Sequence, residues 1–172
     1  MTGAHRPDFG ELSRAEQDLD LLAIGETLVD FISLERTNGG LRDATAFGRH
    51  LGGSPANIAI YVAKLGGKAA VISKTGTGAF GQFLRDELRF HGVNTDYLIM
   101  NPDVRTTVIF VSCTSGTPDF LALRDGDYAL TPDEVPEEAG ECNYRLQRGE
   151  TSHVVKSRIG RQIFGRLRAH RG

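Results

Sequence analysis

The chain has no tryptophan, only two cysteines and two methionines, and aromatic side chains make up 8% of its 172 residues. Two thiols, Cys113 and Cys142, build no disulfide framework. That removes the small disulfide-stapled secreted scaffolds and leaves reduced cytosolic thiols as the default. No apolar run approaches the ~18 residues a membrane-crossing helix needs. The polar start MTGAHRPDFGELSRAEQDLD lacks an apolar signal region, so a cytoplasmic protein without membrane contact is expected. Metal-ligand spacing is missing as well: His5, His50, His91, His153 and His170 are scattered, and neither cysteine has a spaced partner. There is no G-x-x-x-x-G-K-[ST] phosphate loop. What remains is 40% hydrophobic and 24% charged, the composition of a soluble globular domain long enough to bury a core.

The net charge of −2 conceals a split. Residues 1–140 carry 12 Lys and Arg against 20 Asp and Glu, whereas residues 141–172 carry 8 against 2. The last thirty or so residues therefore form a basic tail that follows different rules from the rest. Residues 1–18 read as a polar arm. Between them, LDLLAIG is a buried strand, an extended piece follows near 31–34, and NGG at 38–40 is a turn. SPANIAIYVAKLG is a helix, with Ser54 as its cap, Pro55 suited to the first turn and Gly66 to the exit, and with Ile58, Val62 and Leu65 on one face. AAVISKT is a strand and FGQFLRDELRFHG a helix with Phe83, Leu84, Leu88 and Phe90 apolar; YLIM is a short strand. TTVIFVSC and DFLALRD are two strands joined as a hairpin by TSGTP. Strands and helices alternate from 20 to 100, which predicts a parallel sheet with helices on its faces. The extended pieces at about 31–50 and 106–124 break that rhythm and suggest a second, smaller sheet at the strand ends.

Gly76, Gly78 and Gly81 stand in the spacing G-x-G-x-x-G, after a strand and ahead of a helix. A dinucleotide site needs an acid at the end of the following strand. Asp96 precedes YLIM rather than following it, at the opposite edge. The plain alternative is a strand-to-helix turn in which glycine permits a tight bend. A longer pattern begins upstream: GGSPANIAIYVAKLGGKAAVISKTG sets Gly52, Gly53, Pro55, Asn57, Ala59, Gly66 and Gly76 at fixed intervals. It resembles the N-terminal signature of the PfkB/ribokinase family of carbohydrate kinases. GTGAFG is then similar to that family's G-x-D-x-x-G turn, with Gly78 where the family has aspartate.

The resemblance implies a ribokinase-like three-layer α/β/α core, incomplete here, with a small β-sheet lid, over residues 19–140, and leaves residues 141–172 as a basic tail outside the family's pattern. Paired glycines ahead of a helix let a polyhydroxylated ligand approach the backbone, and N–H groups at 54–57 point toward it. Asn57 carries both a donor and an acceptor for a sugar hydroxyl; the alternative is that it satisfies only its own helix start. Asp30, five residues after Gly25, matches by resemblance an aspartate that accepts from two sugar hydroxyls; an acceptor-only carboxylate suits that work. RTTVIFVSCTSGTPDFLALRDGD resembles the lid strands of the fructokinase and ketogluconate-kinase branches, where an arginine near the position of Arg124 meets the substrate's carboxylate or carbonyl end. Arg105 and Arg124 also read as edge-strand charges that discourage aggregation. The candidate substrate set is thus Asp30, Gly52, Gly53, Asn57 and Arg124.

The family's second half supplies a G-A-G-D motif carrying the base and anion hole, the nucleotide pocket, and an N-x-x-E motif tied to Mg²⁺. None of these motifs occurs in the 172 residues. The implied parent reaction is phosphoryl transfer from ATP with Mg²⁺ to a sugar or sugar-acid hydroxyl, and phosphoryl transfer rests on positioning and charge stabilisation. This chain is expected to hold the sugar, to bind ATP and Mg²⁺ poorly and to be inactive alone. Family relatives often dimerise through the lid. Fructose, 2-keto-3-deoxygluconate and 5-dehydro-2-deoxygluconate are the leading substrates. Two other readings stand beside this one: a dinucleotide-binding protein using Gly76 to Gly81, and a non-enzymatic binder whose basic tail, helical over 154–168 with Ile159, Ile163, Phe164 and Leu167 inward, contacts RNA or an acidic surface. In the kinase reading no nucleic acid is bound.

Overall fold

The computed structural model describes residues 19–114, 116–135 and the backbone of a strand at 152–157. Among the described residues, eight strands and two α-helices are ordered β1 (Leu21–Gly25), β2 (Leu28–Arg36), β3 (Phe47–Gly52), α1 (Ser54–Lys64), β4 (Ala69–Gly76), α2 (Ala79–Phe90), β5 (Leu98–Asn101), β6 (Val108–Cys113), β7 (Phe120–Leu123) and β8 (Ser152–Ser157).

They form two sheets. The first has the order β5-β4-β1-β8. β1, β4 and β5 run parallel, with Leu21 opposite Ala69 and Ser73 opposite Leu98. Every residue of β4 is buried, as expected for a parallel strand covered on both faces. On one face Leu21, Ala23, Ala69 and Val71 pack on Ala56, Ala59 and Ile60 of α1 and Leu88 of α2. On the other, Leu22, Ile24, Ala70 and Ile72 meet Tyr97, Leu130 and Val135. The second sheet has the order β3-β2-β6-β7, and it is built from the extended pieces that broke the α/β rhythm. β2 is antiparallel to β3 and parallel to β6, and β6 and β7 form the expected hairpin. One of its faces, carrying Val29, Phe31, Val108 and Phe110, packs on Phe83 and Leu84 of α2. Phe31 stacks on Phe110 at 5.2 Å and meets the edge of Phe80 at 5.6 Å.

Three local expectations need correction. Ser54 is the first helical residue, not the cap; Gly53 holds the cap position, with no side-chain capping bond. The buried stripe of α1 is Pro55, Ala56, Ala59 and Ile60, while Ile58 and Leu65 are exposed. Small side chains let the helix lie close against β1 and β4, and the larger ones are turned outward. In α2, Leu84 and Leu88 are buried but Phe90 is exposed. The basic tail departs from the alternative in which it is a surface-binding helix over 154–168: residues 152–157 form β8, antiparallel to β1. Val154 and Val155 are β-branched, and a bare β1 edge invites a strand. Residues 158–168 of that expected helix, like the 1–18 arm, lie outside the described residues.

Candidate functional site

β1 ends at the carboxyl edge of the first sheet, and the Glu26–Thr27 link carries the chain into β2. Asp30 stands in β2 directly across from His50 of β3, and Leu28 stands across from Gly52. The four residues share one face of the second sheet, because strand side chains alternate. A Cβ at Gly52 would overlap the Asp30 carboxylate and come within 2.6 Å of Leu28 Cδ1. At Gly48 it would come within 3.0 Å of His50 Nε2. Asp30 and His50 thus each lean over a glycine of β3. Burial pushes the Asp30 carboxyl above the ordinary carboxylate range, and the neighbouring His50 partly offsets that rise.

Gly53 follows with φ +100° and ψ 126°. A Cβ there would strike the main-chain carbonyl of Glu26. The room left by the paired glycines is therefore taken by the chain itself, by Asp30, Leu28 and the Glu26 carbonyl. Reading that room as ligand space was incomplete: Gly52 seats the carboxylate, and Gly53 lets α1 begin against the β1–β2 link. The Asn57 N–H donates to the Gly53 carbonyl at 2.9 Å. Its side chain is exposed and lines a crevice of about 280 Å³ bounded by β3, α1 and α2.

Arg124 lies elsewhere. Residues Gly76, Gly78, Ala79 and Phe80 form one wall of a cleft of about 940 Å³; Val104 to Thr106 and Leu123 to Asp125 form the rest. Arg124 and Arg105 both line it. The Arg124 guanidinium is 3.5 Å from Glu26 Oε2 and 5.3 Å from the Tyr128 ring centre. Asp125, in the DGD stretch, works as a turn residue. Its Oδ2 accepts the Arg105 N–H at 3.0 Å, and its own N–H donates to Thr107 Oγ1 at 3.1 Å.

The structure thus joins Asp30 to Gly52, Gly53 to Asn57, and Arg124 to Arg105. The residue that links these groups is Glu26, which the sequence reading missed. Its carbonyl lies under Gly53 and its largely buried carboxylate faces Arg124. An acid placed directly after the first strand, at the carboxyl edge of a parallel sheet, was the available signal. Among the described residues no group of three His, Cys, Asp or Glu side chains is placed to hold a metal ion. No described helix is long and apolar enough to cross a membrane.

A parallel α/β core with a β lid across its strand ends, and polar groups gathered where the two meet, defines a ribokinase-like sugar-kinase fold. The pfkB family carbohydrate kinase profile matches residues 18–170, and the chain belongs to that family. The match runs on through the basic tail, so the change at 140 is a change of charge and not the edge of the match. A sugar kinase of Pyrococcus horikoshii is 39% identical over 108 residues, 63% of this chain and 34% of that protein. Its structure in complex with ATP superposes with a TM-score of 0.64 at 34% identity, covering 68% of this chain and 38% of that one. A fructokinase of Solanum tuberosum is 36% identical over 118 residues, 67% of this chain and 37% of its own. The fructokinase structure from Halothermothrix orenii gives a TM-score of 0.62 at 43% identity, covering 66% and 40%. The chain therefore spans between a third and two fifths of the length of these relatives.

Proposed function

We propose that these residues form the sugar-holding part of an ATP-dependent carbohydrate kinase, and that the base, the anion hole and the nucleotide pocket belong to sequence beyond them. The observation that carries this is the Asp30 carboxylate seated over Gly52 on the lid face, beside a helix that starts at Gly53. Asp30 accepts from sugar hydroxyls, the Gly53–Asn57 helix start orients the ring, and Arg124, steered by Glu26, meets the far end of a sugar or sugar acid. Fructose, 2-keto-3-deoxygluconate and 5-dehydro-2-deoxygluconate are the substrates to try, and the cytoplasm is the setting. Exposed Leu34, Phe120, Leu121 and Leu123 support association of the lid with a second copy.

Calorimetry with these sugars tests the reading. Asp30→Ala is expected to weaken binding at least about tenfold, since it removes a charge-assisted acceptor. The pH dependence follows from the raised Asp30 pKa. Hydroxyl donors favour the ionised carboxylate, so affinity rises as pH climbs through the Asp30 pKa and is flat above it. The fold responds with the opposite sign. Because the folded state keeps this proton longer than the unfolded chain does, the Asp30 contribution to stability falls between the ordinary carboxylate pKa and the raised one. Sugar binding unaffected by Asp30→Ala would remove the basis of the assignment.

A further inference from the structure

The crevice between β3, α1 and α2 has an unusual balance of charge. Arg49, His50, Lys64 and His91 line it, and Glu87 is the acid among its lining residues. Glu87 is engaged, with Oε2 3.8 Å from His91 Nε2. Arg49 lies over the Phe83 ring, its guanidinium carbon 3.9 Å from the ring centre. Among the described residues no carboxylate pairs with Arg49 or with Lys64. A guanidinium held over a ring face keeps its in-plane N–H donors for other partners, and those donors suit a tetrahedral oxyanion. The Asn57 amide and Tyr61 add polar groups to the same walls.

We propose that this crevice is an anion site that takes the phosphate group of a small phosphorylated metabolite. It is separate from the cleft that Arg105 and Arg124 line; it shares Asn57 with the proposed sugar set, but the basic residues that carry it are not part of that set. A volume of about 280 Å³ accommodates a phosphate with a few attached carbons and not a nucleotide. α1 and α2 both end near Lys64 and His91, and their terminal carbonyls disfavour an anion there. The seat is therefore toward Arg49 and Asn57, with the flexible Lys64 ammonium reaching in as a point charge.

The test is a calorimetric titration of the whole chain with inorganic phosphate at fixed ionic strength. Saturable binding is expected, weakened about tenfold or more by Arg49→Gln or by Lys64→Gln, and unchanged by Arg105→Gln. Lys64 is exposed, so Lys64→Gln keeps the test decisive if Arg49→Gln disturbs β3. The absence of saturable heat would overturn the proposal. So would binding that survives both crevice variants, or that Arg105→Gln abolishes, since the latter puts the anion in the larger cleft. Sugar titrations on the same samples read the sugar site separately.

Discussion

Replacing Gly81 by alanine should cost the fold at least about 3 kcal/mol, read as a large drop in the urea midpoint or loss of a cooperative transition. The sign is not obvious from the sequence. Gly81 lies inside α2, where alanine is favoured over glycine by about 1 kcal/mol on propensity alone. Against this, an added Cβ would overlap the main-chain carbonyl of Gly76, the residue that ends β4. Backbone cannot swing aside as a side chain can, so α2 would have to lift from the sheet edge and expose Leu84 and Leu88. Gly76 is locked in turn, since its own Cβ would come within 2.5 Å of the Val104 carbonyl. The middle glycine is different: nothing lies within 4 Å of a Cβ at Gly78. Gly78 is the cap residue of α2, with extended backbone and no side-chain capping bond. Gly78→Asp should therefore be tolerated and should add a few tenths of a kcal/mol through the cap and the helix dipole. If Gly81→Ala unfolded at the wild-type midpoint, or Gly78→Asp were the more damaging of the two, this account of the turn would be wrong.

The same stretch shows what a sequence can and cannot disclose. G-x-G-x-x-G reads equally well as a cradle for a pyrophosphate and as a place where helix and strand backbones touch. The letters mark the need for glycine but not the atom that occupies the vacated space. β4 was legible because its first half, AAVI, is the apolar run a strand covered on both faces demands, and the lid was legible because its strands interrupt the α/β rhythm. The buried face of α1 was not, because periodicity weighs Ile58 and Leu65 above Ala56 and Ala59, while close packing on the sheet selects the small residues. Asp30 and Asn57 were singled out as candidates by the pattern around them. Glu26 escaped because its partner, Arg124, is nearly a hundred residues away, and no local signal announces a pairing over that distance. β8 escaped for a related reason: its partner is β1, and the composition of the tail suggested a helix instead.

A long-range pair also underlies the second large effect expected, at Glu134. Lys74 sits in β4 on the sheet face away from the helices, and its side chain keeps only 9% of its exposure; that of Glu134 keeps 13%. Lys74 Nζ donates to Glu134 Oε1 at 2.6 Å and to the Ala129 carbonyl at 3.1 Å. The other Glu134 oxygen accepts the Thr131 N–H at 3.0 Å and the Thr131 hydroxyl at 3.1 Å. Glu134→Ala leaves an ammonium in a nearly dry site with one carbonyl for company, and a buried pair broken on one side costs about 3–5 kcal/mol. A Lys74→Met, Glu134→Met double variant leaves no charge stranded and should recover most of that loss, because an apolar replacement of a buried pair is often near neutral. The consequences extend to the cleft. A Cβ at Gly126 would lie 3.0 Å from the Lys74 carbonyl and 2.9 Å from that of Arg105, so the turn carrying Arg124 and Asp125 rests on this end of β4. Glu134→Ala should therefore weaken sugar binding as well as the fold, and the double variant should restore both. Urea midpoints and sugar calorimetry on the three variants decide it. A loss below about 1 kcal/mol in the single variant, the level of an exposed ion pair, or a double variant no better than the single one, would show that this pair does not hold the cleft wall.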